Sequence, residues 1–108
     1  KPDLLVRALR GLKASVDQVI AGPVGPLFAR ASKDFDIPGR RNLDALVANM
    51  EAAKSLYLTQ GKENLMRNVP TLWRDGAQAM AKAGFGDVTG QIDRLYTNTY
   101  VDRAIKGA

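Results

Sequence analysis

The residues that could do chemistry in this chain are defined first by two absences. Neither histidine nor cysteine occurs among its 108 residues. The commonest general base and metal ligand is therefore missing, as are thiolate ligands, a thiol nucleophile and any disulfide scaffold. Ser15, Ser32 and Ser55 have no histidine to activate them. None is followed three residues later by lysine, and no G-x-S-x-G elbow surrounds any of them. They read as surface or capping serines. Asp34 and Asp36, on either side of Phe35, are the nearest approach to a carboxylate pair. Such a pair can hold a hard cation or act as acid and base, but no further oxygen ligands surround it, so both aspartates read as caps of neighbouring turns. The run Gly84-Phe85-Gly86-Asp87-Val88-Thr89-Gly90 shares only its glycines with a phosphate loop. A dinucleotide fingerprint follows a strand, whereas a helical pattern precedes this run, which makes it a helix–helix turn. The expectation is a protein that is not an enzyme and has no cofactor or metal.

Binding is better represented than catalysis. Gly39-Arg40-Arg41 stands at the start of a predicted helix, where free backbone N–H groups and the helix dipole favour an anion. Arg30 and Lys33 reach the same region if the preceding segment folds back, giving a candidate phosphate contact of Arg30, Lys33, Arg40 and Arg41. The competing reading is a solvated loop neutralised by Asp34 and Asp36. The net charge of +5 is dispersed: residues 1–54 carry 9 basic and 6 acidic groups, and residues 55–108 carry 7 and 5. A mild, even excess permits nucleic-acid or anionic-surface binding without requiring it. Trp73 is either a stacking platform or, by its spacing with Val69, Gly76, Ala77 and Met80, a core residue. Tyr96 and Tyr100 sit where the helical period breaks and are candidates to face a partner.

These residues must be positioned by helices. Leu5, Leu9, Leu12, Val16 and Val19 recur at spacings of four and three, predicting a helix over 3–21 with Asp3 as N-cap and Gly22-Pro23 as its stop. A short helix over 27–33 and a loop at 34–39 follow, with Phe35 and Ile37 tucked inward. A second long helix is predicted over 41–60, closed by Gly61, with Leu43, Leu46, Val47, Met50, Lys54 and Tyr57 along one side. Its first residues, Arg41-Asn42-Leu43-Asp44-Ala45-Leu46-Val47, resemble the amphipathic helices of granule-associated phasins over that stretch, and the resemblance implies a helix and nothing about function. A short helical piece at 62–69 leads to a helix over 71–83 beginning at Pro70, and Asp87 opens a last one over 87–99. After it the period slips, predicting a kink or a separate short C-terminal helix. The fold class expected is all-α: a compact bundle of four to six helices with short Pro/Gly-punctuated connections, in a single domain over 1–108, either whole or cut from a longer chain. No apolar run approaches the ~20 residues of a membrane span, and the start lacks a signal-peptide layout, so the chain reads as soluble with no compartment indicated.

One feature of the second long helix bears on function. Ala45, Ala48 and Ala52 form a small-residue stripe opposite its leucine side, with Leu56 beside it. Small residues at that spacing let another helix approach closely. The stripe either sits under the Trp73 helix or meets a partner chain. The reading favoured by the sequence is a non-catalytic helical protein-interaction or assembly module whose partner is another protein chain or domain. The alternatives are a nucleic-acid-binding domain using a dispersed basic surface around Arg40-Arg41, and a helical domain that holds an apolar small ligand.

Overall fold

The protein is described from a computed structural model, which places residues 1–107. Five α-helices account for most of it: α1 Pro2–Ala21, α2 Gly25–Asp34, α3 Leu43–Tyr57, α4 Pro70–Lys82 and α5 Thr99–Lys106. Short 3-10 segments stand at Arg40–Asn42, Lys62–Asn64 and Thr89–Arg94. The fold is all-α, with no strand among the described residues.

The helices begin where local chemistry allows. Proline occupies the first or second position of α1, α2 and α4, where a missing N–H is harmless and a fixed φ is already helical. The Asn42 side chain caps α3 by accepting from the Ala45 N–H at 3.2 Å. Helix α1 starts earlier than Asp3: its N-cap is Lys1, and Asp3 lies in the first turn, where it pairs with Arg103 at 3.0 Å. Its stop is Gly22 in an extended conformation, φ −148°, not a left-handed one.

Three expectations are corrected. Helix α3 is shorter than 41–60, because residues 40–42 are 3-10 and the chain turns after Tyr57. Gly61 lies beyond the helix, at φ +88° and ψ 148°, and its N–H donates to the Leu58 carbonyl at 3.0 Å. The piece at 62–69 is helical only over 62–64. Met66 takes φ +65° and Val69, the residue before Pro70, is extended, so no helix can run through them. The helix over 87–99 is replaced by the 3-10 segment 89–94, a break, and α5. Side chains there compete for the backbone: Asp87 Oδ1 takes the Thr89 N–H at 2.9 Å, and Thr97 Oγ1 takes the Thr99 N–H at 3.2 Å. The separate C-terminal helix expected after the slip in period is α5.

Helix α5 packs against α1, α2 against α3, and α4 against the segment 89–94. The buried apolar residues are Val6, Val24, Leu65, Ala77, Val101 and Ala104, and Val24 is the most enclosed at 1% exposure. Val6 on α1 and Val101 and Ala104 on α5 mark the α1–α5 contact, so α5 approaches α1 about one residue around from the stripe picked out by spacing. Leu5 and Leu12 of that stripe are consequently exposed. Phe35 is also turned outward, 68% exposed, while Ile37 is half-buried. The Cα radius of gyration is 17.5 Å, whereas a tightly filled domain of ~100 residues has about 13 Å. The chain is elongated, 48 × 37 × 24 Å, and a concavity opens between its helix pairs.

Candidate functional site

Two polar knots fix the walls of that concavity. The first ties the α1–α2 junction to α3. The Val24 backbone N–H donates to Glu51 Oε1 at 2.9 Å, and the Lys54 ammonium donates to the Gly22 carbonyl and pairs with Glu51 at 3.1 Å. The Val24 N–H first, and Lys54 second, hold the Glu51 carboxyl below the usual carboxylate range. The knot therefore satisfies the N-terminal backbone of α2 and fixes how α3 lies beneath it.

The second knot ties the segment after α3 to the start of α5. Asn98 grips the backbone of Asn68 on both sides: the Asn68 N–H donates to Asn98 Oδ1 at 2.8 Å, and Asn98 Nδ2 donates to the Asn68 carbonyl at 2.8 Å. Asn68 Oδ1 in turn accepts from Trp73 Nε1 at 3.1 Å. Next to it Arg67 makes a two-pronged pair with Asp102, Nε to Oδ1 at 2.7 Å and Nη2 to Oδ2 at 3.3 Å. That hydrogen-bonded pairing lowers the Asp102 carboxyl and raises the Arg67 guanidinium from their ordinary values. Trp73 is stacked on Tyr96 at a centroid distance of 5.1 Å. The indole is thus held at both its ring face and its N–H.

Between the knots lies an open groove of about 710 Å³. Helix α1 supplies Val16, Val19 and Ile20, α3 supplies Met50, Leu56 and Tyr57, the segment after α3 supplies Leu65 and Met66, and α4 supplies Leu72 and Trp73. Arg67, already bound by Asp102, is the one charged residue among its lining residues. A second apolar hollow of about 380 Å³, bounded by Ala77, Met80, Val88 and Leu95, shares Leu72 and Trp73 with the first. The two hollows adjoin at Leu72 and Trp73 on α4. Met66 is the single non-glycine residue with positive φ among the described residues, and it lies in the groove wall. Backbone strain of that kind persists where surrounding contacts over-determine it; here buried Leu65 and the Arg67–Asp102 pair flank it.

The residues singled out by spacing fall in different places. Of the small-residue stripe, Ala45, Ala48 and Ala52 are all exposed, so no helix of the described chain covers them. Leu56, 70% exposed, belongs to the groove wall. Trp73 is half-buried, lines the groove and is stacked on Tyr96; Tyr96 and Tyr100 are half-buried as well. Of the proposed anion contacts, Arg30, Lys33, Arg40 and Arg41 are exposed. Arg40 pairs with Asp36 at 3.2 Å, and the α3 N-terminus already has Asn42 as its cap. Both arrangements lower the demand for an external anion there. Asp34 is the last residue of α2, and Asp36 pairs with Arg40.

Leu65, Met66, Asn68 and Asn98 are the site residues that spacing did not reveal. The asparagines belong to no periodic pattern and meet across 30 positions of sequence. The signal that was present is the pairing of Val69 with Pro70, which forces an extended segment ahead of α4. Among the described residues no group of three or more candidate metal-ligating side chains comes together, and no helix is long and apolar enough to cross a membrane. Comparison with protein-family models, with curated proteins and with solved structures finds no match to this chain.

Proposed function

We propose that this chain is a non-catalytic helical interaction module that receives a helix of a partner protein in the groove between α1, α3 and α4. The observation that carries this reading is the apolar surface left uncovered. Leu56, Tyr57 and Leu72 in the groove, and Met80, Val88 and Leu95 in the adjoining hollow, are large apolar residues with a third or more of their surface in water. Single exposed leucines are ordinary on a protein surface, but contiguous apolar patches of this kind mark interaction sites. The groove has polar edges, an aromatic anchor held in place by Asn68 and Tyr96, and walls on separate helices. These are the elements of helix-in-groove recognition, in which apolar side chains spaced along one face of the incoming helix fill the trough.

The volume also suits an apolar small molecule, since ligand pockets commonly span ~300–1,000 Å³. A second apolar hollow that adjoins the groove at Leu72 and Trp73 favours a longer occupant.

Trp73 is the chain's single tryptophan and stands in the groove, so its emission reports occupancy directly. A synthetic amphipathic helical peptide with leucines on one face and glutamines on its flanks is expected to shift that emission saturably. Leu56→Glu is expected to abolish the shift while leaving the far-ultraviolet circular dichroism unchanged, because Leu56 is already exposed. No shift at millimolar peptide, or an equal shift in the variant, would sink the proposal. Saturable binding of a long-chain hydrocarbon alcohol without binding of the peptide would replace the helix by a small apolar ligand.

A further inference from the structure

We infer that a polar cleft between α4 and the segment 89–94 binds a small zwitterion, with Arg74 taking its carboxylate and Asp93 its ammonium group. The cleft shares no lining residue with the groove or with the apolar hollow beside it.

Two rows of residues build it, and each follows from local periodicity. On α4, Pro70, Arg74 and Gln78 stand four residues apart and form one line along the helix. Across from them the segment 89–94 is a 3-10 helix, in which side chains three residues apart eclipse one another, so Gly90 and Asp93 share an edge. Tyr96, three residues further on, completes that row. The segment packs against α4, and the space between the rows is about 310 Å³. A methyl group at Gly90 would meet no other atom within 4 Å, so the cleft is open there. The Tyr96 ring is held by its stack on Trp73 at 5.1 Å.

Charge selects the occupant. Arg74 and Asp93 are the two charged residues among those lining the cleft, one on each wall. Elsewhere charges that face another element are joined, as Arg67 is to Asp102 and Arg103 to Asp3. Here they are not: within the described residues the side chains of Arg74, Gln78 and Asp93 and the Tyr96 hydroxyl have no hydrogen-bond or ion-pair partner. A guanidinium offers a planar fork of donors that matches a carboxylate, and an aspartate, which only accepts, takes an ammonium. A lone anion meets repulsion from Asp93, and a lone cation meets it from Arg74. A molecule with both groups satisfies both walls, and Gln78 and Tyr96 supply further polar contacts. The volume is at the lower end of the ~300–1,000 Å³ range of ligand pockets, which suits a small molecule. α-Amino acids and ω-amino acids share this chemistry and differ in the separation of their charges.

The test titrates the full chain with glycine, 4-aminobutyrate and 6-aminohexanoate, with butyrate and butylammonium as singly charged controls, and follows backbone amide chemical shifts. At least one zwitterion is expected to give saturable changes centred on residues 70–78 and 89–96, and to bind at least about tenfold more tightly than either control. The preferred member of the series reports the charge separation and tells an α-amino acid from an ω-amino acid. Arg74→Gln and Asp93→Asn lie at exposed positions and are expected to leave the far-ultraviolet circular dichroism unchanged while each weakens that zwitterion at least about tenfold. Butyrate binding as tightly as the zwitterions makes the cleft an anion site, and butylammonium doing so makes it a cation site; either overturns the inference. It is also overturned if no zwitterion moves these amides at tens of millimolar, or if both variants bind as the parent does.

Discussion

Replacing Asn98 with alanine is the most informative perturbation of the groove that leaves its apolar lining untouched. Asn98 makes two 2.8 Å hydrogen bonds to the backbone of Asn68, one from each amide atom. Both involve part-buried groups, so alanine leaves the Asn68 N–H and carbonyl without their partner. At about 0.5–1.5 kcal/mol per net bond, the loss comes to roughly 1–3 kcal/mol. An unfolding entropy of about 2.1 cal/mol/K per residue gives roughly 0.23 kcal/mol/K for a chain of this size, so Tm should fall by about 4–13 °C. The Arg67–Asp102 pair spans the same junction but is partly solvated, and it does not replace a backbone clasp. A second consequence is local. Asn68 orients Trp73 through the indole N–H, so loosening Asn68 should shift Trp73 emission to the red at temperatures where the helices are still folded. Thermal melts followed by circular dichroism, with emission recorded in parallel, measure both effects. A Tm within about 2 °C of the parent, together with unchanged emission, would refute the role given to the clasp.

Other outcomes follow from the same geometry. Gly61→Ala should cost about 1–3 kcal/mol in urea denaturation, because φ +88° with ψ 148° is a glycine region and the Glu63 carboxylate must also swing away from the new methyl group. Glu51 has a lowered folded carboxyl, so its contribution is present above the unfolded-state value and is lost as pH falls through the folded one; acid titration of stability should show this loss, and Glu51→Gln should flatten it. Ala48→Arg should change stability by no more than ~0.5 kcal/mol in the same urea assay, since Ala48 is exposed.

Helix existence was legible because it rests on local physics. Pro70 in a first turn, the Gly22-Pro23 stop and the three-and-four spacing of apolar residues all act within one or two turns. α1, α2 and α4 accordingly lie within a few residues of their predicted bounds. The last predicted helix failed where Asp87, Thr97 and Asn98 spend their side chains on backbone groups, an effect periodicity does not record. The face of α1 was misjudged for another reason. Spacing shows that Leu5, Leu9 and Leu12 share a side, but which side is covered depends on where α5 arrives, and that is set by contacts about 100 residues apart, such as Arg103 with Asp3. The same limit applies to the site. Trp73 and Leu56 were recognisable as notable residues, whereas the groove joining them is assembled by residues far apart in sequence, from Ser15 to Trp73, with Asn68 held by Asn98. The alanine stripe of α3 was legible as a pattern, yet Ala45, Ala48 and Ala52 face away from the groove, since small size alone does not place a helix against a neighbour.

The most direct test of the groove as the docking site is a residue-by-residue map of backbone amide chemical shifts while the leucine-faced, glutamine-flanked helical peptide is added. The account predicts that the largest changes cluster at residues 15–20, 56–57 and 65–73, and that they saturate together with the Trp73 emission change. Changes centred on Arg30, Lys33, Arg40 and Arg41, or on Ala45, Ala48 and Ala52, with the groove amides unmoved, would contradict it.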